Sequence, residues 1–195
     1  MRHELLDSRA KWVGIVVLAL AAGLYRIASG MWWTELPNFS PAMAMAFCCG
    51  MALPGVLGFA LPIAILFASD LVLNFHYHMP LVSISMVGVY ACYLIAATAG
   101  GFLRRSGFLA LAGATLANSL LFYVVTNSLA WIGNANYAQT AAGWAQALTV
   151  GQPGFPPTWV FFRNSLLSDA LFTVLFVIVV LRMQRPSTAF QPVAA

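Results

Sequence analysis

The stretch VLGFALPIAILFASDLVLN, residues 56–74, decides the fold of this chain. It is almost wholly apolar and holds a single ionisable side chain, Asp70. Its length matches the roughly 20 apolar residues that an α-helix needs to cross the hydrocarbon core of a bilayer. We therefore predict a membrane-spanning helix here, with Asp70 inside the membrane.

The whole chain has the composition of a membrane protein. Of its 195 residues, 62% are hydrophobic and only 7% are charged, whereas soluble domains carry about 25% charged residues. A water-soluble fold of this size has too little interior to hide so much apolar surface. The surplus must face lipid, and the length suits one compact bundle without a second domain.

Apolar runs on both sides of residues 56–74 complete the predicted architecture. The six predicted spans lie at about residues 12–28, 41–56, 56–74, 81–103, 107–126 and 164–183. We therefore predict an all-α membrane protein, a six-transmembrane-helix bundle that forms a single membrane domain over residues 1–195.

The second span is the weakest of the six because its apolar run meets Pro54. A run of about 13 residues covers only about 20 Å as a helix, less than the roughly 30 Å hydrocarbon core. It therefore either re-enters the membrane from one side, or crosses it by extending past Pro54 or by tilting.

The placement of the basic residues decides between these alternatives, because cytoplasmic loops carry an excess of lysine and arginine. With six spans and a cytoplasmic N-terminus, seven of the nine basic residues are cytoplasmic: Arg2, Arg9, Lys11, Arg104, Arg105, Arg182 and Arg185. Without the second span, the last four of these would lie outside. We therefore predict six spans and both termini in the cytoplasm.

The first span admits a second interpretation, as a cleaved signal peptide. It follows basic residues and contains Ala19, Leu20 and Ala21, which would suit a cleavage site. Glu4, Asp7 and the long segment before the span argue against it. Cleavage would leave the topology of the other five spans unchanged.

Aromatic residues mark the predicted outer side, where interfacial belts of tryptophan are common. Five tryptophans fall there: Trp32, Trp33, Trp131, Trp144 and Trp159. The outer connection at 128–162 also has a stripe at helical spacing, formed by Tyr137, Ala141, Trp144 and Leu148. It predicts a short amphipathic helix in the interface between spans five and six. The sequence GQPGFPP at 151–157 then breaks the chain.

Ionisable residues inside the spans are few, and they gather towards the outer ends. Such a residue costs about 2.5–3.5 kcal/mol on insertion scales and usually faces the bundle interior. Arg26, Asp70 and Asp169 lie in the outer parts of spans one, three and six, whereas the inner halves are nearly all aliphatic or Phe. This asymmetry predicts a polar binding cavity open to the outside, without a continuous polar path across the membrane.

A structural role for the same residues is the alternative. Arg26 could pair with Asp70, and Arg163 with Asp169, and these pairs would hold the bundle together. The two roles are compatible, since a paired side chain can also line a cavity.

Metal binding has weaker support. His76 and His78 follow span three in the sequence His-Tyr-His, and Asp70 lies two helical turns below. They are weak candidates for a metal site, because histidines in a loop are more often interfacial side chains.

Catalysis has no signature in the sequence. Motifs of nucleophilic, metalloprotease or phosphate-binding catalysis are absent, and the only lysine, Lys11, lies on the predicted cytoplasmic side. Cys48, Cys49 and Cys92 lie in apolar runs and predict buried thiols, not a disulfide framework. We therefore predict that the protein is not an enzyme and needs no cofactor.

Four strings carry a resemblance to a known family. They are LPNFSPAMAMAF at 36–47, PIAILFASDLVLNFHYHMP at 62–80, SLLFYVVTNSLAWI at 119–132 and FFRNSLLSDALF at 161–172. Over about residues 24–180 the chain resembles an uncharacterised family of small bacterial integral membrane proteins. This resemblance implies that the chain lies in a bacterial cytoplasmic (inner) membrane. That family is similar in size and layout to the substrate-binding S-components of energy-coupling factor (ECF) transporters.

The resemblance to S-components implies a division of labour. The small membrane protein captures a vitamin or similar micronutrient from the outer side. A membrane coupling subunit with two ATPases then drives release by toppling the small protein in the bilayer. Such proteins dock through small-residue faces of span one, where Ala19 and Gly23 form a small-x-x-x-small pair. Solitary S-component-like proteins also exist.

The matching strings and the polar residues of the spans together define a predicted substrate site. Its residues are Arg26, Asn38, Ser40, Asp70, Asn74, Asn127, Trp131, Tyr137, Arg163, Asn164 and Asp169. Arg26 or Arg163 would pair with a carboxylate or phosphate of the ligand. Trp131 and Tyr137 would stack on a flat ring. The two aspartates would take cationic or donor groups, or hold the arginines in place.

We therefore predict a membrane-embedded substrate-binding protein for uptake of a small micronutrient, such as a vitamin-like molecule or cofactor precursor. The alternatives are a non-catalytic assembly or interaction factor and an intramembrane enzyme acting on lipid or isoprenoid, with Asp70 as its titratable group. The predicted partners are a small-molecule substrate from the outer side, the lipid bilayer and a coupling subunit with ATPases. Nucleic acid is not a predicted partner, because the basic residues form no cluster.

Overall fold

The computed structural model describes residues 2–33 and 35–184, and these residues form seven α-helices and no strand. The helices are α1 (Arg2–Trp32), α2 (Ala42–Ala52), α3 (Leu57–His76), α4 (Ile84–Leu103), α5 (Phe108–Trp131), α6 (Ala141–Leu148) and α7 (Thr158–Gln184). The all-α prediction is confirmed. Arg185 and the C-terminus, which entered the topology prediction, lie outside the described residues.

Five of the helices are long and apolar enough to cross a membrane. The crossing segments are Trp12–Trp32, Leu57–His76, Ser85–Leu103, Phe108–Trp131 and Thr158–Val179. The chain is therefore a multi-pass membrane protein by helix length and hydropathy. Four helices extend beyond the predicted spans. Helices α1, α3 and α5 continue to Trp32, His76 and Trp131, and α7 begins at Thr158.

Helix α2 is too short to cross a membrane. Its 11 residues rise only about 16 Å, roughly half of the hydrocarbon core. The predicted continuation past Pro54 is wrong, because the helix ends at Ala52 and Leu53 is extended. The cause is steric, since the ring of a proline disfavours helical geometry in the residue before it. A turn at Gly55, whose φ is +53°, then leads into α3.

The direction of the helices shows how the chain returns between α1 and α3. These two helices run parallel, since Gly23 approaches Ile65 and Gly30 approaches Leu73. The segment 36–52 must therefore make the return pass. Its first part, residues 36–41, is not helical and leads into α2, which completes the pass. An antiparallel sequence of passes is thus retained although α2 itself does not span.

The non-helical segment 36–41 follows the side of α7. The Asn164 amide donates to the carbonyl of Pro37 at 3.0 Å, and the Ser168 hydroxyl donates to the carbonyl of Ser40 at 3.1 Å. Asn164 and Ser168 stand one helical turn apart, so the segment descends along α7. Irregular backbone at membrane depth is tolerated only where protein covers it and satisfies its polar groups. The two side chains from α7 meet that requirement.

Helix α2 forms the centre of the bundle, and all residues from Ala42 to Gly50 are buried. It crosses α4 with backbone against backbone. A Cβ atom on Gly50 would stand 1.9 Å from the carbonyl oxygen of Ala97, and one on Gly100 would stand 1.9 Å from that of Phe47. Small residues at such crossings let helices approach closely and pack by van der Waals contact. The close crossing therefore depends on both glycines.

The predicted docking face on the first span is inside the bundle. Ala19 is fully buried, and a Cβ atom on Gly23 would stand 2.4 Å from Cγ2 of Ile65 in α3. Gly23 therefore packs α1 against α3, and Ala19 lies in the buried core. In this structure the pair has no exposed surface for a partner.

The predicted helix between spans five and six is present as α6. The hydroxyl of Thr140 caps it by accepting from the amide of Gly143 at 3.3 Å. Its buried face is formed by Gly143 and Ala147. Of the predicted stripe, Tyr137 is buried, whereas Trp144 is exposed and donates to the hydroxyl of Ser128. Gly143 lies so close to the carbonyl of Ala138 that a Cβ atom at this position would clash with it.

The two ends of the bundle differ in composition. One end of the bundle, here called the tryptophan end, is formed by the ends of α1 and α5, by α6 and by the start of α7. Its five tryptophans are Trp32, Trp33, Trp131, Trp144 and Trp159. The opposite end holds Arg104 and Arg105, between α4 and α5. The predicted topology requires tryptophans at the outer end and arginines at the cytoplasmic end, and the two residue types do lie at opposite ends.

The glycine contacts generate a prediction of stability. Gly50→Ala or Gly100→Ala should lower the Tm in detergent, because either methyl group forces α2 and α4 apart at a cost of about 1–3 kcal/mol or more. A thiol-reactive fluorophore suits the measurement, since Cys48, Cys49 and Cys92 are buried and become reactive on unfolding.

Gly113→Ala is the matched control for these variants. Gly113 lies in α5, and a Cβ atom there would meet nothing within 4 Å. Alanine at an open helical position is favoured over glycine by about 0.5–1 kcal/mol. The control should therefore hold or raise the Tm. An unchanged Tm in both Gly50→Ala and Gly100→Ala would refute the close crossing.

The orientation of the bundle can be tested with single cysteines. Ala135→Cys places a thiol in the exposed connection at the tryptophan end, and Gly107→Cys places one at the exposed opposite end. A membrane-impermeant maleimide added to intact spheroplasts should label only Ala135→Cys, since the positive-inside prediction puts the tryptophan end outside. Labelling of Gly107→Cys alone would reverse the orientation. The native cysteines are buried and provide a low background.

Candidate functional site

A cavity of about 450 Å³ opens within the tryptophan end of the bundle. It receives side chains from α1, α3, α4, α5 and α7, and from the segment 36–41. Six of the predicted site residues line it, namely Arg26, Asn38, Ser40, Asp70, Asn74 and Asp169. The cavity is therefore the place where the long-range packing collects the ionisable residues of three separate spans.

Arg26 and Asp70 form an ion pair on one wall of this cavity. Nη2 of Arg26 lies 2.5 Å from Oδ1 of Asp70, and Nη1 donates to the hydroxyl of Ser69 at 2.7 Å. The Ser69 hydroxyl in turn donates to the carbonyl of Leu66. Both charged side chains are largely shielded from solvent. The pairing predicted as a structural alternative is thus present, and it stands in the cavity wall.

Tyr90 is a member of this cluster that sequence reasoning missed. Its hydroxyl, from α4, donates to Oδ2 of Asp70, so that both oxygens of the carboxylate are bound. Tyr93 stands one turn further along α4 and lines the cavity. One feature of the sequence could have indicated Tyr90. It stands one helical turn from Tyr93 inside an apolar span, whereas tyrosines of membrane proteins are usually found at the interface.

Asp169 occupies a different wall and has a different environment. It is 3% exposed, and its Oδ2 accepts from the hydroxyl of Ser119 in α5 at 2.7 Å. The backbone of Ala44, in the first turn of α2, also faces this carboxylate. Among the described residues, the ion pair formed inside the cavity is that of Arg26 with Asp70. Asp169 therefore carries no described counter-charge.

The N-terminus of α2 contributes to the floor of the cavity. Ala42 and Met43 line it, and the cap residue Pro41 gives no side-chain hydrogen bond to the helix. The first amide groups of a helix are unsatisfied and carry a partial positive charge. The carboxylate of Asp169 lies near this end and complements it electrostatically.

Small polar and flexible side chains form the rest of the lining. The α3–α4 connection and the first turns of α4 supply Met79, Pro80, Ser83, Ser85 and Met86. Asn74 lines the cavity and donates to the carbonyl of Leu81 at 3.4 Å. Thioether side chains adapt their shape easily. The lining thus combines adaptable apolar surface with hydroxyl and amide groups.

A second, more open cavity of about 320 Å³ is lined by residues of α5, of the connection between α5 and α7, and of the first turns of α7. Two further predicted residues, Asn127 and Tyr137, line it with Gln152 and Phe155. Asn38 lines both cavities and adopts a left-handed backbone conformation, with φ of 62°. Such a conformation is rare for a side-chain-bearing residue, although asparagine tolerates it best. Asn38 therefore stands where the two cavities meet.

Three predicted site residues line neither cavity and instead fix the surrounding chain. The Trp131 indole donates to the carbonyl of Ala138 at 2.8 Å. Asn164 is buried and holds the segment 36–41 through its bond to Pro37. Arg163 donates to Oδ1 of Asn164 and stands over the ring of Trp159. Its predicted pairing with Asp169 does not occur.

The weak metal candidates do not meet a third ligand. His76 is in the last turn of α3, its ring packs on that of Tyr77, and His78 has a φ of 54°. Asp70, the expected third ligand, is bound to Arg26 and Tyr90. Within the described residues, no group of three or more His, Cys, Asp or Glu side chains could hold a metal ion.

The fold and the cavity define the class of this protein, a multi-pass membrane protein with a polar cavity at one end. A family profile described as "Family of unknown function (DUF6580)" matches residues 7–190, and the chain belongs to that family. Comparisons with curated proteins and with solved structures gave no match. The predicted membership in an uncharacterised family of membrane proteins is thus confirmed at this level.

The ion pair generates a prediction for a double-mutant cycle. Asp70→Asn and Arg26→Gln should each lower the Tm in detergent, because each leaves a partner charge unpaired inside the bundle. The double variant should lose less than the sum, with a coupling energy of about 0.5–3 kcal/mol. Glu35→Gln, at an exposed carboxylate, controls for loss of a surface charge. Additive effects of the two substitutions would show that the pair contributes no coupling.

Proposed function

We propose that this protein is a membrane-embedded substrate-binding protein for uptake of a small micronutrient, similar to the S-components of ECF transporters. The observation that carries the proposal is the cavity of about 450 Å³, which gathers Arg26, Asp70 and Asp169 from three spans. Small-molecule sites are concave, of about 300–1,000 Å³, with a few polar groups placed on an apolar lining. The cavity has this size and this composition.

The closed floor of the cavity supports a binding protein over a channel. Below it lies a cluster of buried apolar side chains that includes Phe47, Leu66 and Phe176. A channel or a proton relay would need polar groups through the whole thickness of the membrane. A site with one open end captures its ligand from one side, which we propose is the outer side. Release to the other side then needs a large movement of the protein.

Such a movement is what the S-component resemblance implies, and it would involve a coupling subunit with ATPases. The pair Ala19 and Gly23 is not available for this contact because it is buried in this structure. We therefore propose that any coupling partner meets a lipid-facing surface elsewhere on the bundle. The bound state of Asp70, held by Arg26 and Tyr90, also favours ligand binding over the alternative of an intramembrane enzyme.

A non-catalytic interaction factor is the second candidate, and one observation favours it. An apolar groove of about 410 Å³ lies between α5 and α7. Thr173 lines it, is buried, and has a hydroxyl without a hydrogen-bond partner among the described residues. A groove of this kind suits a lipid chain or a helix of another membrane protein.

Native mass spectrometry after gentle purification from the protein's own host tests the proposal. We expect wild-type protein to carry a small molecule, and Ser85→Phe to lose it. Ser85 is exposed and lines the cavity, so the larger ring should fill the binding volume without disturbing the core. Leu120→Phe is the matched control, because Leu120 is exposed on α5 and should retain the molecule.

The outcomes separate the two candidates. A molecule retained equally by Ser85→Phe and Leu120→Phe would place binding outside the cavity and contradict the proposal. Protein that carries no small molecule, and that instead co-purifies with another membrane protein in both variants, would favour the interaction factor.

A further inference from the structure

We infer that the ligand of the 450 Å³ cavity is a small organic cation, such as a protonated amine or a quaternary ring nitrogen, held by Asp169. This inference rests on the proposed function and names its substrate class. It reverses the expectation that an arginine would bind an anionic group of the ligand. Three observations carry it, and each concerns a different wall of the cavity.

The first observation is that Arg26 already has an anionic partner within the protein. Its two terminal nitrogens are bound to Asp70 and to Ser69, and both are ligands from the protein itself. Releasing Arg26 for an anion would leave Asp70 as an uncompensated carboxylate at the same site, which is costly in a membrane interior. Arg163 is outside the cavity, over Trp159. Neither arginine is therefore poised to receive a carboxylate or phosphate.

The second observation is the charge balance. The ionisable side chains that line the cavity are Arg26, Asp70 and Asp169, and the first two neutralise each other. Asp169, 3% exposed, is left with the Ser119 hydroxyl and the N-terminus of α2 as its described partners. A hydroxyl and a helix terminus compensate only part of a buried charge. A ligand cation would supply the missing counter-charge.

The third observation is the aromatic lining. Tyr93 and Phe122 line the cavity, and their rings pack at a centroid distance of 5.5 Å. Ring faces attract cations within about 6 Å, most strongly where water is excluded. Hydroxyl and amide groups of Ser40, Ser85 and Asn74 line the same cavity and can bond polar substituents. An aromatic or hydroxyl-bearing cation matches this combination.

The charge balance can be tested on the empty protein by two substitutions of the same chemical kind. Asp169→Asn should raise the Tm by about 2–4 °C, because it removes an uncompensated charge, while the amide oxygen can still accept from Ser119. Asp70→Asn should lower the Tm, because it leaves Arg26 unpaired. A fall of Tm in Asp169→Asn as large as that in Asp70→Asn would overturn the inference.

Binding can be tested with probes that share a ring and differ in charge. The pairs are tryptamine with indole-3-acetate and pyridoxamine with 4-pyridoxate, each added to empty wild-type protein while Tm and native mass spectra are recorded. At least one cation should bind about tenfold or more tighter than its anionic partner. Asp169→Asn should abolish this preference, and Glu35→Gln should preserve it. Preference for the anions, or no preference in either pair, would overturn the inference.

The result can be separated from that of the proposed function. If the molecule that co-purifies from the native host is anionic and is lost in Ser85→Phe, the cavity is a binding site and only the cation inference fails. If Ser85→Phe retains that molecule, the proposed function fails whatever the charge of the molecule. A co-purified cation that is lost in both Ser85→Phe and Asp169→Asn would support both.

Discussion

The crossing of α2 and α4 is the contact on which the rest of the structure depends. Gly50 and Gly100 let two backbones touch at the centre of the bundle, and this places a helix of 11 residues entirely inside the protein. Because α2 is short and is held at this crossing, its N-terminus lies well inside the bundle. The volume above it is not filled by helix, and the cavity occupies that volume.

The polar groups around the cavity follow from the same arrangement. An extended segment in a membrane needs donors for its carbonyl groups, and Asn164 and Ser168 of α7 supply them to residues 36–41. One turn deeper than Asn164, Asp169 meets the first turn of α2. The polar face of α7 therefore serves two tasks. Its upper part supports irregular backbone, and its lower part gives the cavity a carboxylate.

The two carboxylates of the spans look alike in the sequence and differ in the structure. Asp70 and Asp169 each follow a serine in an apolar helix. Their different surroundings depend on α1, which gives Arg26 to Asp70, and on α5, which gives Ser119 to Asp169. These partners lie 44 and 50 residues away in the chain. The residues next to each aspartate do not reveal partners this far away in the chain. The different roles of the two aspartates could therefore be assigned only from the folded structure.

Much of the fold was predictable because lipid imposes a simple length rule. The long apolar runs predicted the five long helices, and the helical spacing of apolar residues from Tyr137 to Leu148 predicted α6. The failures have physical causes. Leu53 stops α2 because a proline follows, and Gly143 and Ala147 pack although Trp144 is the larger apolar residue. Helical spacing cannot distinguish a small residue in a tight contact from a large one at an interface.

For the candidate site, polarity within a predicted span led to four residues that line the cavity, and it missed Tyr90. The four residues are Arg26, Asp70, Asn74 and Asp169. A hydropathy profile treats tyrosine as largely apolar, yet the hydroxyl of Tyr90 donates a hydrogen bond to the second carboxylate oxygen of Asp70. Matching of family strings was less selective. It added Asn38 and Ser40, which line the cavity, but also Trp131 and Arg163, which bind the surrounding chain instead.

The burial of α2 has a consequence for biosynthesis. A helix this short is a poor substrate for insertion by itself, and it is joined to α3 by a tight turn at Pro54 and Gly55. The two helices would therefore enter the bilayer together, as a hairpin. The segment before them remains unsatisfied until α7 is made, more than 100 residues later, because Asn164 and Ser168 bind it across 127 and 128 residues of chain. Helix α7, the last of the described helices, thus completes the interior, and a chain truncated before it would hold an open, half-built cavity in the membrane.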